Sequence, residues 1–145
     1  MTKQFGVACD HAGLELKRAL VEELTKRGLA VRDFGTTTSD SCDYPDFAQA
    51  VARALESGEI DRALLVCGTG VGMSIAINRS KAARAVVCSE PLSARMSRAH
   101  NDANVLCLGA RVIGVGTAID ILDAFLAADF EGGRHAGRVA KIDRA

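Results

Sequence analysis

The chain carries no excess of charge of either sign. Eighteen basic and eighteen acidic side chains cancel across 145 residues, and no basic block interrupts the balance. Bulk charge therefore offers nothing to a nucleic acid or an anionic membrane surface, and neither partner is expected. Long apolar runs are missing too, so no segment should span a bilayer. Met1-Thr2-Lys3-Gln4 leads into a strand-like segment without a signal-peptide profile, which makes the cytoplasm the expected location. The five cysteines, Cys9, Cys42, Cys67, Cys88 and Cys107, are odd in number, widely spaced and without a Cys-x-x-Cys pair. That pattern argues against a disulfide scaffold and a structural zinc site. No His-Glu-x-x-His, no Ser-His-Asp order and no metal-spaced carboxylates occur, so no metal is expected. Nor is there a linker, repeat or low-complexity stretch, and residues 1–145 read as one domain, long enough for a real core.

What the chain does have is centred on Ala63-Leu64-Leu65-Val66-Cys67-Gly68-Thr69-Gly70-Val71-Gly72-Met73-Ser74. An apolar run of strand length ends in a cysteine, three glycines alternate with Thr69 and Val71, and a helix-compatible segment follows. A strand, a glycine turn and a helix start aim unpaired backbone N–H groups at an anion. Beside such donors a thiol is pushed toward thiolate. One stretch thus offers a base and a cradle for developing negative charge. Met73 stands where a dinucleotide fingerprint needs its last glycine, and no Gly-Lys-Ser/Thr follows, which disfavours a Rossmann cofactor site and a P-loop. A tight turn beside an inert core cysteine accounts for this segment equally well.

Strand and helix signals alternate along the chain. Strands are expected at Phe5–Cys9, Leu29–Phe34, Ala63–Cys67, Ala85–Cys88 and Asn104–Gly109. Helices are expected at Leu14–Leu24, with Leu16, Leu20 and Leu24 inward and charges opposite, and from Tyr44-Pro45 to Gly58, with Phe47, Val51 and Leu55 buried. Further helices are expected from Val71 toward Asn78 and at Ser89–Ala99, Ile113–Ala127 and Arg134–Ile142. This alternation points to a parallel sheet covered on both faces, with ligands outside the carboxyl ends of the strands. Asp10 and His11 join Cys67 there. Asp10-His11 suits proton transfer or phosphate binding, or Asp10 simply caps a helix. His100 is a proton-transfer candidate, or a histidine favoured by a helix C-terminus. Arg134 and Arg138, four apart, make a phosphate clamp or a solvated face, and Arg111 stands on the same footing.

Taken together the motifs are more specific. Cys9-Asp10-His11-Ala12-Gly13, Asp43-Tyr44-Pro45, Cys67-Gly68-Thr69-Gly70-Val71-Gly72, Cys88-Ser89-Glu90-Pro91, His100-Asn101-Asp102-Ala103-Asn104-Val105-Leu106 and Glu131-Gly132-Gly133-Arg134-His135 follow one another in order. The chain from Phe5 to about Ile142 resembles the ribose-5-phosphate isomerase B family, within the group that includes galactose-6-phosphate isomerase subunits. The resemblance implies a Rossmann-like three-layer α/β/α sandwich with a five-stranded parallel sheet. It also implies a homodimer or pair of dimers whose active sites are shared between subunits, and interconversion of ribose 5-phosphate and ribulose 5-phosphate through an enediolate, without a cofactor. By similarity, Cys67 is the base that shuttles the proton. The amides from Gly68 through Gly70 to Gly72 hold the enediolate oxygen. His100, helped by Asp10, opens the furanose ring, and Thr69 and Asn101 bind sugar oxygens. His11, Arg111, Arg134 and Arg138 resemble phosphate ligands, the last two on a C-terminal segment at 131–145, and Tyr44 lines the pocket. His100, Asn101 and Arg111 are expected to arrive from a second subunit. One branch of the family has glutamate at the position of Met73 and lacks this cysteine, so the chain resembles the cysteine type. A six-carbon substrate such as allose 6-phosphate, or a phosphosugar-binding module without turnover, stays open.

Overall fold

The computed structural model describes residues 3–145; of the segment read as the N-terminal lead, Met1 and Thr2 lie outside the described residues. Five strands, β1 (Gln4–Cys9), β2 (Val31–Asp33), β3 (Ile60–Cys67), β4 (Ala85–Val87) and β5 (Val105–Gly109), form one parallel sheet in the order β2-β1-β3-β5-β4. The inner strands are rich in aliphatic residues and buried on both faces, as a sheet covered twice requires. Six helices cover it: α1 (Leu14–Lys26), α2 (Tyr44–Glu56), α3 (Val71–Ile77), α4 (Pro91–Asn101), α5 (Val115–Ala127) and α6 (Arg134–Asp143).

Strand order sets which face each helix takes. The chain moves outward from β1 to β2 and then back across β1 to β3, so right-handed crossovers put α1 and α2 on opposite faces. It then doubles back from β4 to β5, returning α4 to the side of α1. One core accordingly joins Leu16, Leu20 and Leu24 of α1 and Ile121, Leu122 and Phe125 of α5 to Val7, Leu64, Val66, Leu106 and Leu108. The other joins Ala48 and Val51 of α2 and Met73 and Ile77 of α3 to Ala8, Ala63, Leu65, Cys67 and Cys107. Successive strand residues point to opposite faces, which is why Leu64 and Val66 serve one core while Leu65 and Cys67 serve the other. Each fully buried leucine contributes roughly 1.5–3 kcal/mol. Among the described residues no helix is long and apolar enough to cross a membrane.

Two expectations about the helices need correction. In α2 only Val51 of the expected stripe is buried; Phe47 and Leu55 are half-covered, and the inward face is Ala48, Val51, Ala52 and Ala54. Small side chains let this helix lie close to the sheet, and the larger ones fall to its flanks. In α1, Lys17 does not join the solvated charges. It is buried, and its Nζ donates to Asp33 Oδ1 at 2.7 Å and to the Thr36 carbonyl at 2.6 Å. A buried ammonium stays charged only with such partners. Lys17 therefore ties the end of β2 to the loop beside Cys9.

Candidate active site

The order in which strands are added reverses between β1 and β3, so their carboxyl ends flank an open crevice. Cys67 is the last residue of β3 and is buried. Its sulfur accepts a hydrogen bond from the Gly70 amide at 3.2 Å. Gly70 has a φ of +78°, in the left-handed region, and this turns the loop so that its amide faces back on the sulfur. A Cβ at Gly70 would lie 2.8 Å from Val87 Cγ2 and 3.0 Å from the Leu108 carbonyl carbon, so the turn also requires the missing side chain. Thr69 is exposed on the same loop, its Oγ1 accepting from the Val71 amide at 3.3 Å. Tyr44, at the start of α2, packs its ring on Gly72, where a Cβ would come within 2.7 Å of it.

β1 delivers the next pair. Asp10 Oδ1 accepts from the Ala12 and Gly13 amides at 3.0 and 3.2 Å, capping the short 3₁₀ turn His11–Gly13. That turn presents His11, whose Nδ1 accepts from the Cys42 amide at 3.2 Å. The adjacent strand β5 brings Arg111, whose amide donates to the Gly68 carbonyl at 3.0 Å and whose guanidinium lies along Gly68. Arg111 was expected to arrive with His100 from a second subunit. Here it stands beside Cys67 in the same chain, because β5 pairs directly with β3 and ends level with it.

The remaining candidates gather elsewhere. α4 runs antiparallel to the strands, so its last residues, His100 and Asn101, come back to the amino edge of the sheet. Asp102 ends the helix at φ 49°, held by Arg98 at 3.0 Å and by Arg84 at 3.2 Å. The Asn104 carbonyl meets the Ala63 amide in the first half of β3, whereas Cys67 pairs with Gly109 at its foot. Four residues of strand, roughly 13 Å, separate these levels. α6 docks at the same amino edge through Arg84 and Asp143 and carries Arg134 and Arg138. One chain thus brings together Cys67, Gly68, Thr69, Gly70, Gly72, Asp10, His11, Tyr44 and Arg111. It keeps His100, Asn101, Arg134 and Arg138 apart from them.

Two residues given no role by the sequence reading belong to that second group. His135 is buried and stacks on His100, with Glu131 facing both rings. Burial first, then His100 and Arg134, lower the His135 pKa against an opposing pull from Glu131. The four-residue spacing of Glu131 and His135 was the available signal. The other cysteines differ from Cys67 in setting. Burial pushes the Cys9 and Cys88 thiols up to about 11. Cys107 is pushed up by burial and further by Cys67 and Cys88. None of those three faces the glycine loop's amides.

The family described as Ribose/Galactose Isomerase matches residues 5–142. The chain is 52% identical over 140 residues to ribose-5-phosphate isomerase B of Escherichia coli, covering 97% of this chain and 94% of that one. Its fold superposes on ribose-5-phosphate isomerase B of Clostridium thermocellum with a TM-score of 0.95 at 53% identity, covering 97% and 95% of the two chains. The Mycoplasma genitalium enzyme, solved with bound ribulose-5-phosphate, superposes with a TM-score of 0.94 at 41% identity, covering 99% and 96%. A crevice built on a strand-end cysteine, a full-length sequence match and near-identical backbones agree: the chain belongs to the ribose/galactose isomerase family.

Proposed function

We propose that the chain is a ribose-5-phosphate isomerase, interconverting D-ribose 5-phosphate and D-ribulose 5-phosphate by proton transfer through an enediolate. The observation that carries the reading is Cys67, at the foot of β3 with the Gly70 amide aimed at its sulfur. Removing a proton beside a carbonyl needs a base and donors for the oxyanion that forms. As the base, the Cys67 sulfur takes the proton from C2 while negative charge develops on O1 within reach of the Gly68–Gly72 amides; the O2 hydroxyl proton passes to O1 in the enediolate, and the same sulfur returns its proton to C1 as the C2 carbonyl forms. Thr69 and Tyr44 flank the sugar, and His11 and Arg111 face the phosphate from this chain. We assign the opening of the furanose ring to His100, sugar contacts to Asn101, and further phosphate contacts to Arg134 and Arg138. Asp10 serves as the cap that fixes His11, with help to ring opening as its further role. We place the reaction in the cytoplasm, where Cys67 stays reduced.

Because His100 and Cys67 lie at opposite edges of the sheet, a complete site takes the amino-edge group from a second copy. A free surface suited to that copy adjoins the loop. Val71 and Ile75, four apart on α3, are 47% and 63% exposed, and β4 leaves one sheet edge unpaired. A coupled assay of ketose formation over a panel of five- and six-carbon aldose phosphates tests the reaction and the substrate together. Ribose 5-phosphate is expected to give the highest kcat/KM. Cys67→Ala is expected to lower kcat about 10²–10⁴-fold with an unchanged circular-dichroism spectrum. Near-normal turnover by that variant would remove the central assignment.

A further inference from the structure

His11 stands at the carboxyl edge on a backbone fixed from two sides. Asp10 Oδ1 accepts from the Ala12 and Gly13 amides at 3.0 and 3.2 Å. Gly13 sits so close to β3 that a Cβ on it would lie 2.6 Å from the Val66 carbonyl oxygen. The ring is fixed separately. Its Nδ1 meets the Cys42 amide at 3.2 Å, with the Cys42 sulfur 3.9 Å away. A backbone N–H only donates, so Nδ1 must offer a lone pair. A protonated ring would set two N–H groups against each other at that contact. The neutral ring therefore carries its hydrogen on Nε2. Among the described residues Nε2 has no hydrogen-bond partner, and it is not buried, so this N–H is left to a ligand.

Cys42 reaches the ring because the loop between β2 and α2 is held at both ends. At its start the Gly35 carbonyl accepts from the Cys9 amide at 2.7 Å, and the Thr36 amide donates to the Cys9 carbonyl at 2.8 Å. Lys17 adds its bond to the Thr36 carbonyl. At its end Asp43 caps α2, its carbonyl accepting from the Asp46 amide at 3.2 Å, with Pro45 in the first turn. Cys42 is the residue before that cap. We infer that Cys42 is a positioning residue for the phosphate ligand His11. Its backbone amide holds the ring as the Nε2–H tautomer, so His11 meets the phosphate as a hydrogen-bond donor. The opposite tautomer would turn a lone pair toward phosphate oxygens, which only accept when ionised. The inference rests on the phosphate role proposed for His11. Because the main chain makes the contact, the side chain at position 42 is not what holds the tautomer.

The test is two-bond proton–nitrogen correlation spectroscopy of the whole protein labelled with nitrogen-15. The chain has 3 histidines, so the His11 pattern is assigned by its loss in His11→Gln. In mildly alkaline buffer the wild-type Nδ1 should resonate as a bare nitrogen and Nε2 as a protonated one. Cys42→Ala keeps the amide and should keep that pattern. Cys42→Pro removes the amide hydrogen and should move both shifts toward those of a ring exchanging between tautomers. Saturating the Cys67→Ala protein with ribose 5-phosphate should shift Nε2 and leave Nδ1 in place. Cys42→Pro should also raise KM about three- to tenfold with little change in kcat, the scale of one lost hydrogen bond. A protonated Nδ1 in the wild type, or loss of the pattern in Cys42→Ala, overturns the inference even where Cys42→Pro fails to fold. An Nε2 shift unmoved by the bound sugar phosphate overturns the donor role. The tautomer spectra are read without turnover, so their failure is distinct from a failure of the isomerase reading, which the coupled assay reports.

Discussion

A cysteine's chemistry in this protein is decided by where its strand places it. Cys67 and Cys107 face the same core on neighbouring strands, yet of the two only Cys67 ends its strand, where the Gly70 amide donates to its sulfur. Cys9 also ends its strand, but it is buried with its sulfur 3.8 Å from the Thr36 carbonyl, and burial raises its pKa from 9.0 to about 11, partly offset by Lys17. A raised acid pKa means the folded state holds its proton longer than the unfolded chain does. The stability that follows is complete below about pH 9 and disappears as the pH climbs through about 11. Two pKa units correspond to on the order of 2–3 kcal/mol. Denaturant midpoints measured from pH 8 to 11 should therefore fall less steeply for Cys9→Ala than for the wild type. Parallel slopes would show that folding does not shift the Cys9 pKa. Lys17 marks the limit of reading single residues. On a helical wheel it stands beside Leu24, seven residues on, and it was grouped with the solvated residues for its charge alone; only the fold reveals that Asp33 and Thr36 reach across to it.

At the scale of elements, the sequence pattern reported kinds better than contacts. Runs such as Ala63–Cys67 and the leucines of α1 place strands and helices, because period 2 and period 3.6 are imposed by backbone geometry. The pattern is blind to how closely a helix approaches the sheet, and so Phe47 and Leu55 were expected inward where Ala48, Ala52 and Ala54 are found. The β3–α3 turn was legible because its glycines are chemical necessities, Gly70 most of all. Gly70→Ala should destabilise the protein by about 1–2 kcal/mol from the left-handed backbone alone, with a further penalty from contact with Val87 and Leu108. It should also lower kcat more than the stability loss explains, since the amide at 3.2 Å from the Cys67 sulfur would be displaced. Thermal unfolding together with kcat, measured where the variant is fully folded, separates the two effects. A variant that keeps wild-type kcat while folded would mean that this amide plays no part in turnover.

For the whole molecule the decisive fact is the separation of its two groups of polar residues. Asp10, His11, Cys67 and Arg111 follow from strand ends, and the rule that ligands bind there made them readable. His100 and Asn101 were readable as candidates but not as neighbours of Cys67, because the end of α4 lies at the other edge of the sheet. About 16 Å of helix carries the chain from one edge to the other. If Cys67 and His100 act on one sugar, they must come from two copies, and a two-fold dimer would hold two such sites. Co-refolding Cys67→Ala with His100→Asn tests this directly. Each mixed dimer would carry one doubly damaged site and one with every residue intact. Random assembly makes half the dimers mixed, so roughly a quarter of all sites should be restored. Activity should be read on ribose 5-phosphate, where both parents are expected to be weak, with subunit exchange verified by tagging one parent. A mixture that never exceeds the average of its parents would place Cys67 and His100 in separate functions and leave the carboxyl-edge crevice to work alone.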